Sequence, residues 1–337
     1  MSAERHLKSC RNGAAGHPNS MGQNEPMTSY VNINNTDLKV SALCLGGNVF
    51  GWSADEAQSH QVLSAFVEAG GNFVDTADVY SEWVPGNAGG DSETIIGSWN
   101  KTTGRRSDLV IATKVAKYSK RPGLSAANIV AAAEDSLRRL QTDYIDLYYA
   151  HEDDQKSSLV ETMTAFDTLV KSGKVRYVAA SNYTGARLKE ALAVSKDLGL
   201  TSYVALQNEY NLVSRFDYEA DAAPALAETG LQGIPYFSLA AGFLTGKYQP
   251  GVTVDSKRAE GASNYATEKG FKALAALEAV AAARQVAPAV VALAWLRAQP
   301  TVAAPIASAR TVEQLKTIMT EIELDPAELM ALDDASA

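Results

Sequence analysis

Cysteine is nearly absent from this chain of 337 residues: it occurs only at Cys10 and Cys44, with no CxxC spacing. That excludes a disulfide framework and points to a reducing compartment, the cytoplasm. Histidine is almost as scarce, at four positions, and no paired-histidine motif occurs. A barrel hydrolase built on His151, Asp75, Asp153 and Asp154 would have one imidazole for its zinc, so no metal is expected. No apolar run approaches the length of a bilayer span, so no membrane partner is expected. Positive charge is in deficit: the net charge is −9, with acidic residues spread along the chain. This excludes a broad basic face for nucleic acid and leaves room only for a local basic pocket. The phosphate-binding GxGxxG of a doubly wound sheet is missing too, because the stretch after the first apolar run reads "LGGNVFGW".

What is present is an ordinary apolar content of 46% with 20% charged residues, enough for a sizeable core. Residues 1–29 are polar and aperiodic, without the apolar centre of a signal peptide. They are expected to form a disordered extension, with Met21 or Met27 as an alternative start, ahead of one domain over 30–337. A hairpin candidate, "YVNINNTDLKV", comes next. The rest alternates short apolar runs with amphipathic helical stretches: "VSALCLGG", "NFVDTA", "LVIATK", "YIDLYYAH", "VRYVAAS", "YVALQNE", "GIPYFSL" and "VAAPIAS" are the runs. Several helical stretches end in the glycine expected at a helix C-terminus. Eight strand–helix units predict an α/β fold, a parallel eight-stranded (β/α)8 TIM barrel with an N-terminal hairpin. The stretch after the seventh run, "AAGFLTGKYQPGVTVDSKRAEGASNYA", is too long for a plain connection and reads as a lid. A helical pair over 268–298 and a final helix with a frayed end complete the pattern.

Barrel chemistry gathers where the strands end. Those ends carry Asp75 with Tyr80 five residues on, then Lys114, His151, Ser181 with Asn182, Gln207, Tyr236 and Ser308. A phenol is a poor acid or base near neutrality. A neighbouring lysine ammonium is expected to lower its pKa, Asp75 to hold that lysine, and His151 to orient a substrate oxygen. Such a set suits protonating a carbonyl oxygen while a cofactor delivers hydride, since it contains no nucleophile–base pair for acyl transfer. "SARTVEQL" opens the last barrel helix with Thr311 and Gln314 at capping-box spacing, and its free N–H groups plus Arg310 suit a phosphate.

These stretches carry a resemblance. "DTADVYSE", "IATKV", "LYYAHEDD", "AASNY", "LQNEYNL", "FLTGKY", "PAVVALAW" and "PIASARTVEQL" occur in order, and from about residue 30 onward the chain resembles the aldo-keto reductases, in particular their bacterial-type members. The resemblance implies an NADPH-dependent oxidoreductase that reduces an aldehyde or ketone, a small-molecule carbonyl substrate. Its catalytic tetrad would be Asp75, Tyr80, Lys114 and His151. Ser181, Asn182 and Gln207 would hold the nicotinamide carboxamide, with Tyr236 stacked on the ring. Phe237, Ser238, Leu239, Gly242, Lys247 and Arg258 would lie along the pyrophosphate, and Ser308, Arg310 and Gln314 at the adenosine end. The sequence departs from the family at Thr317 and Ile318, where many relatives carry Glu and Asn. It departs again at Phe237-Ser238, where Ser-Pro is common, which makes the contacts there largely backbone. Trp52, Trp83, Val84 and Tyr210 lie on loops near the mouth and suggest an aromatic-lined substrate pocket. The family also includes β-subunits of potassium channels that keep the tetrad. A cofactor-binding regulatory subunit is therefore the alternative.

Overall fold

Each helical stretch starts where a side chain can satisfy its free N–H groups. Asp55 and Asp325 form reciprocal capping boxes, while Ser125, Ser158, Thr184 and Thr267 each accept one backbone N–H at a helix start. Gly104, Gly199 and Gly230, all in the left-handed conformation, end three of the α-helices. The computed structural model describes residues 28–337. The expectation of a disordered 1–29 thus falls outside the described residues up to 27. At the start of the described residues, Thr28 is buried and donates to the Glu321 carboxylate at 2.6 Å, and Ser29 donates to the same group through its N–H and hydroxyl.

Strands β1 (Tyr30–Asn32) and β2 (Lys39–Ser41) form the expected antiparallel hairpin. Eight parallel strands follow: β3 (Cys44–Gly46), β4 (Phe73–Asp75), β5 (Val110–Val115), β6 (Ile145–Ala150), β7 (Val175–Ser181), β8 (Tyr203–Gln207), β9 (Gln232–Gly233) and β10 (Ile306–Ala307). They pair in chain order, with β10 beside β3. The approach to β10 also bonds the β9 segment, Ala303 N–H to Gly233 O and Ile306 N–H to Pro235 O, both at 2.9 Å. The strands therefore curl into the (β/α)8 fold, with helices outside.

Alternation along the strands divides the core. Phe73, Ala112, Leu147, Tyr149, Ala179 and Ala205 cluster with Ile33, Leu38 and Val40 of the hairpin, which closes the N-terminal end of the barrel. Their neighbours Val74, Ile111, Tyr148 and Val178 face outward onto Phe66, Trp99, Phe166 and Trp295 of the helices. Functional groups are left to the opposite, C-terminal end. The pair over 268–298 forms helices Glu268–Arg284 and Pro288–Arg297, bent by 102°. No single described helix is long and apolar enough to cross a membrane. The final helix, Pro326–Ser336, does not fray: Ser336 is buried and accepts from Arg215 at 2.7 Å.

Candidate active site

Asp75 is the last residue of β4, Lys114 lies near the end of β5, and His151 directly follows β6, so three adjacent parallel strands bring them to one mouth. Tyr80 arrives on the turn after β4. That turn is held by Thr76 N–H to Ala112 O at 2.8 Å and by Ser81, whose φ of 70° lies in the left-handed region. Lys114 is wholly buried, and its ammonium donates to Asp75 Oδ2 at 2.6 Å, to Thr76 O at 2.7 Å and to Tyr80 Oη at 3.0 Å. Tyr80 is half-buried and donates to Asp75 Oδ2 at 3.2 Å. That bond is longer than the usual O–H···O range, so a substrate oxygen can replace it at small cost.

The electrostatics correct one expectation. Burial raises the Tyr80 pKa well above the phenol value, and the Asp75 charge and hydrogen bond raise it further, so the lysine does not bring it down. Tyr80 stays a phenol, the form that can give a proton. Burial, partly opposed by Asp75, lowers the Lys114 pKa. Burial also pushes His151 well below the usual imidazole value, helped by Lys114 and Lys117. It is a neutral ring, 6.1 Å from that of Tyr80, and its buried Nδ1 has no partner among the described residues.

A second set completes the floor. Gln207 donates its amide to Asp75 Oδ1 at 2.9 Å, so both carboxylate oxygens are engaged. Ser181 Oγ donates to Gln207 O at 2.8 Å, and Asn182, at a φ of 56°, donates to His151 O at 2.8 Å. Tyr236 Oη donates to Asn182 Oδ1 at 2.8 Å. Non-glycine residues at positive φ are costly and persist where the surroundings fix them. Asn182, Phe237 and Ala241 sit there and line one opening.

That opening is a cavity of about 550 Å³, within the range of small-molecule sites. It brings together Asp75, Tyr80, His151, Ser181, Asn182, Gln207, Tyr236, Phe237, Ser238, Leu239, Gly242, Lys247, Arg258, Ser308, Arg310 and Gln314. Lys114 stands behind Tyr80. Lys247, Lys257, Arg258 and Arg310 line the wall, and none has a carboxylate partner among the described residues. Arg258 is pulled down to about 10 by burial and by the charge of Arg310. Four uncompensated cations in a protein of net charge −9 define a place for an anion. The cavity therefore suits a ligand that carries negative charge, such as a phosphate. Gln314 N–H bonds the Thr311 hydroxyl at 3.3 Å, but its side chain reaches back to Arg310 N–H at 3.0 Å rather than to Thr311. Thr317 and Ile318, the departures from the family pattern, line the far end.

Of the four residues expected in a substrate pocket, only Trp83 lines the cavity. Tyr210 is buried, stacked on Tyr218 at 4.1 Å and bonded to Glu219 at 2.7 Å, so it belongs to the core. Val84 is half-buried in the turn begun by Ser81, and Trp52 stands behind Trp83 at 5.7 Å. The acids after His151 are engaged elsewhere: Asp153 pairs with Arg187 at 2.9 Å, and Asp154 accepts from Leu124 N–H at 2.7 Å. Asn48 had no sequence signal beyond its place after β3. Its Oδ1 accepts from Ser308 at 2.6 Å and from Arg258 at 3.2 Å. Gly46 permits this crowding, since a Cβ there would lie 2.6 Å from Ser308 Oγ.

Two residues before Tyr80, Asp78 is buried beside Glu93, and its Oδ1 has no hydrogen-bond partner among the described residues. Glu93 is bonded to Arg139 and Thr113. Burial first, then the Glu93 charge, raises Asp78 from 3.8 to about 8. The folded state therefore binds a proton that the unfolded state has released. This contribution to stability is full below the ordinary carboxylate value and is lost as pH climbs to about 8. The loss amounts to about 1 kcal/mol per pH unit, and Asp78→Asn should abolish it. Urea unfolding at pH 6 and pH 8 checks this, because wild type should lose roughly 2 kcal/mol more than the variant across that interval. Parallel losses would show that Asp78 is ionised in the fold.

The comparisons with known proteins follow the same geometry. The model of the Aldo/keto reductase family matches residues 42–337. Over 318 residues the chain is 36% identical to the uncharacterized oxidoreductase YrpG of Bacillus subtilis (strain 168), covering 90% of this chain and 95% of that one. It is 34% identical over 327 residues to protein tas of Escherichia coli (strain K12), covering 89% and 94%. A probable voltage-gated potassium channel subunit beta of Oryza sativa subsp. japonica is 33% identical over 308 residues, covering 88% and 92%. With barrel, strand-end cluster and family match in agreement over nearly its whole length, the chain belongs to the aldo/keto reductase family of oxidoreductases.

Proposed function

We propose that this oxidoreductase is an NADPH-dependent carbonyl reductase, with Tyr80 as the proton donor to the oxygen of an aldehyde or ketone. The observation that carries the reading is a buried Lys114–Asp75 pair bonded to the phenol of Tyr80, at the floor of a cavity walled by unpaired cations. When bound, the nicotinamide supplies hydride to the carbonyl carbon. The protein does the rest. Neutral His151 has one N–H to direct at the carbonyl oxygen, which places that oxygen beside Tyr80 Oη. Tyr80 exchanges its long bond to Asp75 for one to the substrate and gives up its proton. Lys114, already donating to Tyr80 Oη, stabilises the phenolate left behind, and Asp75 keeps the lysine in place.

Ser181, Asn182 and Gln207 are the donors and acceptors suited to a carboxamide, with Tyr236 forming the ring face beside them. Phe237, Ser238, Leu239, Gly242, Lys247 and Arg258 line the stretch suited to the pyrophosphate. Ser308, Arg310 and Gln314 suit the adenosine end, where Arg310 precedes the helix Val312–Met319 and adds a fixed charge to its free N–H groups. A hydrogen bond to a charged group contributes roughly 1.5–3 kcal/mol. A 2′-phosphate held by Arg310 would therefore favour NADPH over NADH by about ten- to a hundredfold.

Purified protein with a panel of aldehydes and ketones tests the reading by loss of nicotinamide absorbance. NADPH should be consumed, NADH much less efficiently, with one alcohol formed per cofactor. The rice relative's name gives the second reading weight, a cofactor-binding regulatory subunit. Tight NADPH binding with no consumption across the panel would favour that reading instead.

A further inference from the structure

The loop over 246–267 does not end its contacts at the cavity wall. Lys257 Nζ donates to the backbone carbonyl of Trp52 at 2.9 Å, and the Arg258 guanidinium lies 5.8 Å from the centre of the Trp52 ring. The indole of Trp52 meets that of Trp83 edge-on at 5.7 Å, and Trp83 meets Tyr80 at 6.3 Å. A continuous line of contacts thus runs from an unpaired cation to the aromatic group at the mouth and on to Tyr80. Trp83 is 49% exposed, and its aromatic neighbours among the described residues are Trp52 and Tyr80. The loops themselves are fastened below by Ser81 Oγ to Phe50 O at 2.7 Å and Asn87 Nδ2 to Gly51 O at 3.0 Å. Those bonds set the resting position and do not involve the rings.

We infer that Trp52 is a positioning residue that couples the anion-binding loop to the substrate wall, so that seating a dinucleotide phosphate on Arg258 fixes the Trp83 indole for the carbonyl substrate. The inference rests on the reading of the cavity as a dinucleotide site. Among the described residues, the Arg258 guanidinium meets the neutral Asn48 Oδ1 and the Trp52 face and no carboxylate. An anion binding there restrains the guanidinium, and a restrained guanidinium restrains the indole beneath it. Trp52 does not line the cavity, so its effect on substrate has to pass through Trp83.

Hydrogen exchange with and without NADP⁺ tests this without turnover. In wild type, NADP⁺ should slow exchange both over 246–267 and over 81–87. In Trp52→Ala it should slow the first segment and leave the second unchanged, while Trp52→Phe, which keeps a ring, should restore protection of both. Protection of 81–87 that persists in Trp52→Ala overturns the coupling and leaves the dinucleotide site standing. No protection of either segment in wild type overturns both. In kinetics, Trp52→Ala should raise KM for a bulky aromatic aldehyde about three- to tenfold, the scale of one aromatic pair, and alter kcat by less than about twofold. Equal losses in kcat and KM would show general disruption and contradict the positioning role.

Discussion

Tyr80→Phe is expected to lower kcat for carbonyl reduction by about 10²–10⁴-fold, the usual contribution of a positioned general acid. The variant loses one oxygen and nothing else. Lys114 keeps Asp75 and Thr76 O as partners, so its charge remains compensated. The ring contacts to Trp83 and His151 persist as well. Melting temperature and NADPH binding should therefore stay close to wild type. Steady-state kinetics beside a cofactor titration checks this. A variant with near wild-type kcat would assign the proton to another group, and the neutral His151 would be the next to test.

Asp75→Ala should have the largest effect on the fold. Lys114 is wholly buried and Asp75 is 2% exposed, so the variant strands an ammonium with Thr76 O and Tyr80 for company. Removing one partner of a buried pair typically costs about 3–5 kcal/mol. Gln207 loses its acceptor too. Urea unfolding should report a loss of that order, and Asp75→Ala combined with Lys114→Met should recover most of it by removing the orphaned charge. The double variant should remain inactive. Recovery of stability separates the electrostatic cost from simple loss of packing. If Asp75→Ala is as stable as wild type, Lys114 is neutral in the fold, and the charge pattern given to the site is wrong.

The barrel was legible because short apolar runs alternate with helical stretches, several of which begin at a side-chain cap or end at a glycine. Asp75, Lys114 and His151, the strand-end members of the proposed tetrad, were legible for a related reason: parallel strands deliver their last residues to one end, so position along a strand predicts proximity without any knowledge of packing. Tyr210 shows where that logic stops. It lies three residues beyond β8, close in sequence to the mouth, yet the chain turns it onto Tyr218 and Trp295. Loop residues obey no period, so their direction is decided by partners far along the chain. Asn48 and the contacts of Trp52 were hidden for the same reason, since their partners Ser308, Arg258 and Lys257 lie more than two hundred residues away. The Tyr80 pKa was misjudged because the sequence shows which charges are near but not how much water is excluded, and burial is the larger effect.

The most direct test follows the atom that is transferred. Protein incubated with an aldehyde and NADPH carrying deuterium at both positions of the reactive nicotinamide carbon should yield an alcohol with one deuterium on the former carbonyl carbon. Mass spectrometry of the product reads this, and Tyr80→Phe should form the same labelled alcohol at the greatly reduced rate given above. Alcohol without label on carbon, or no alcohol from protein that binds NADPH fully, would contradict carbonyl reduction at this site.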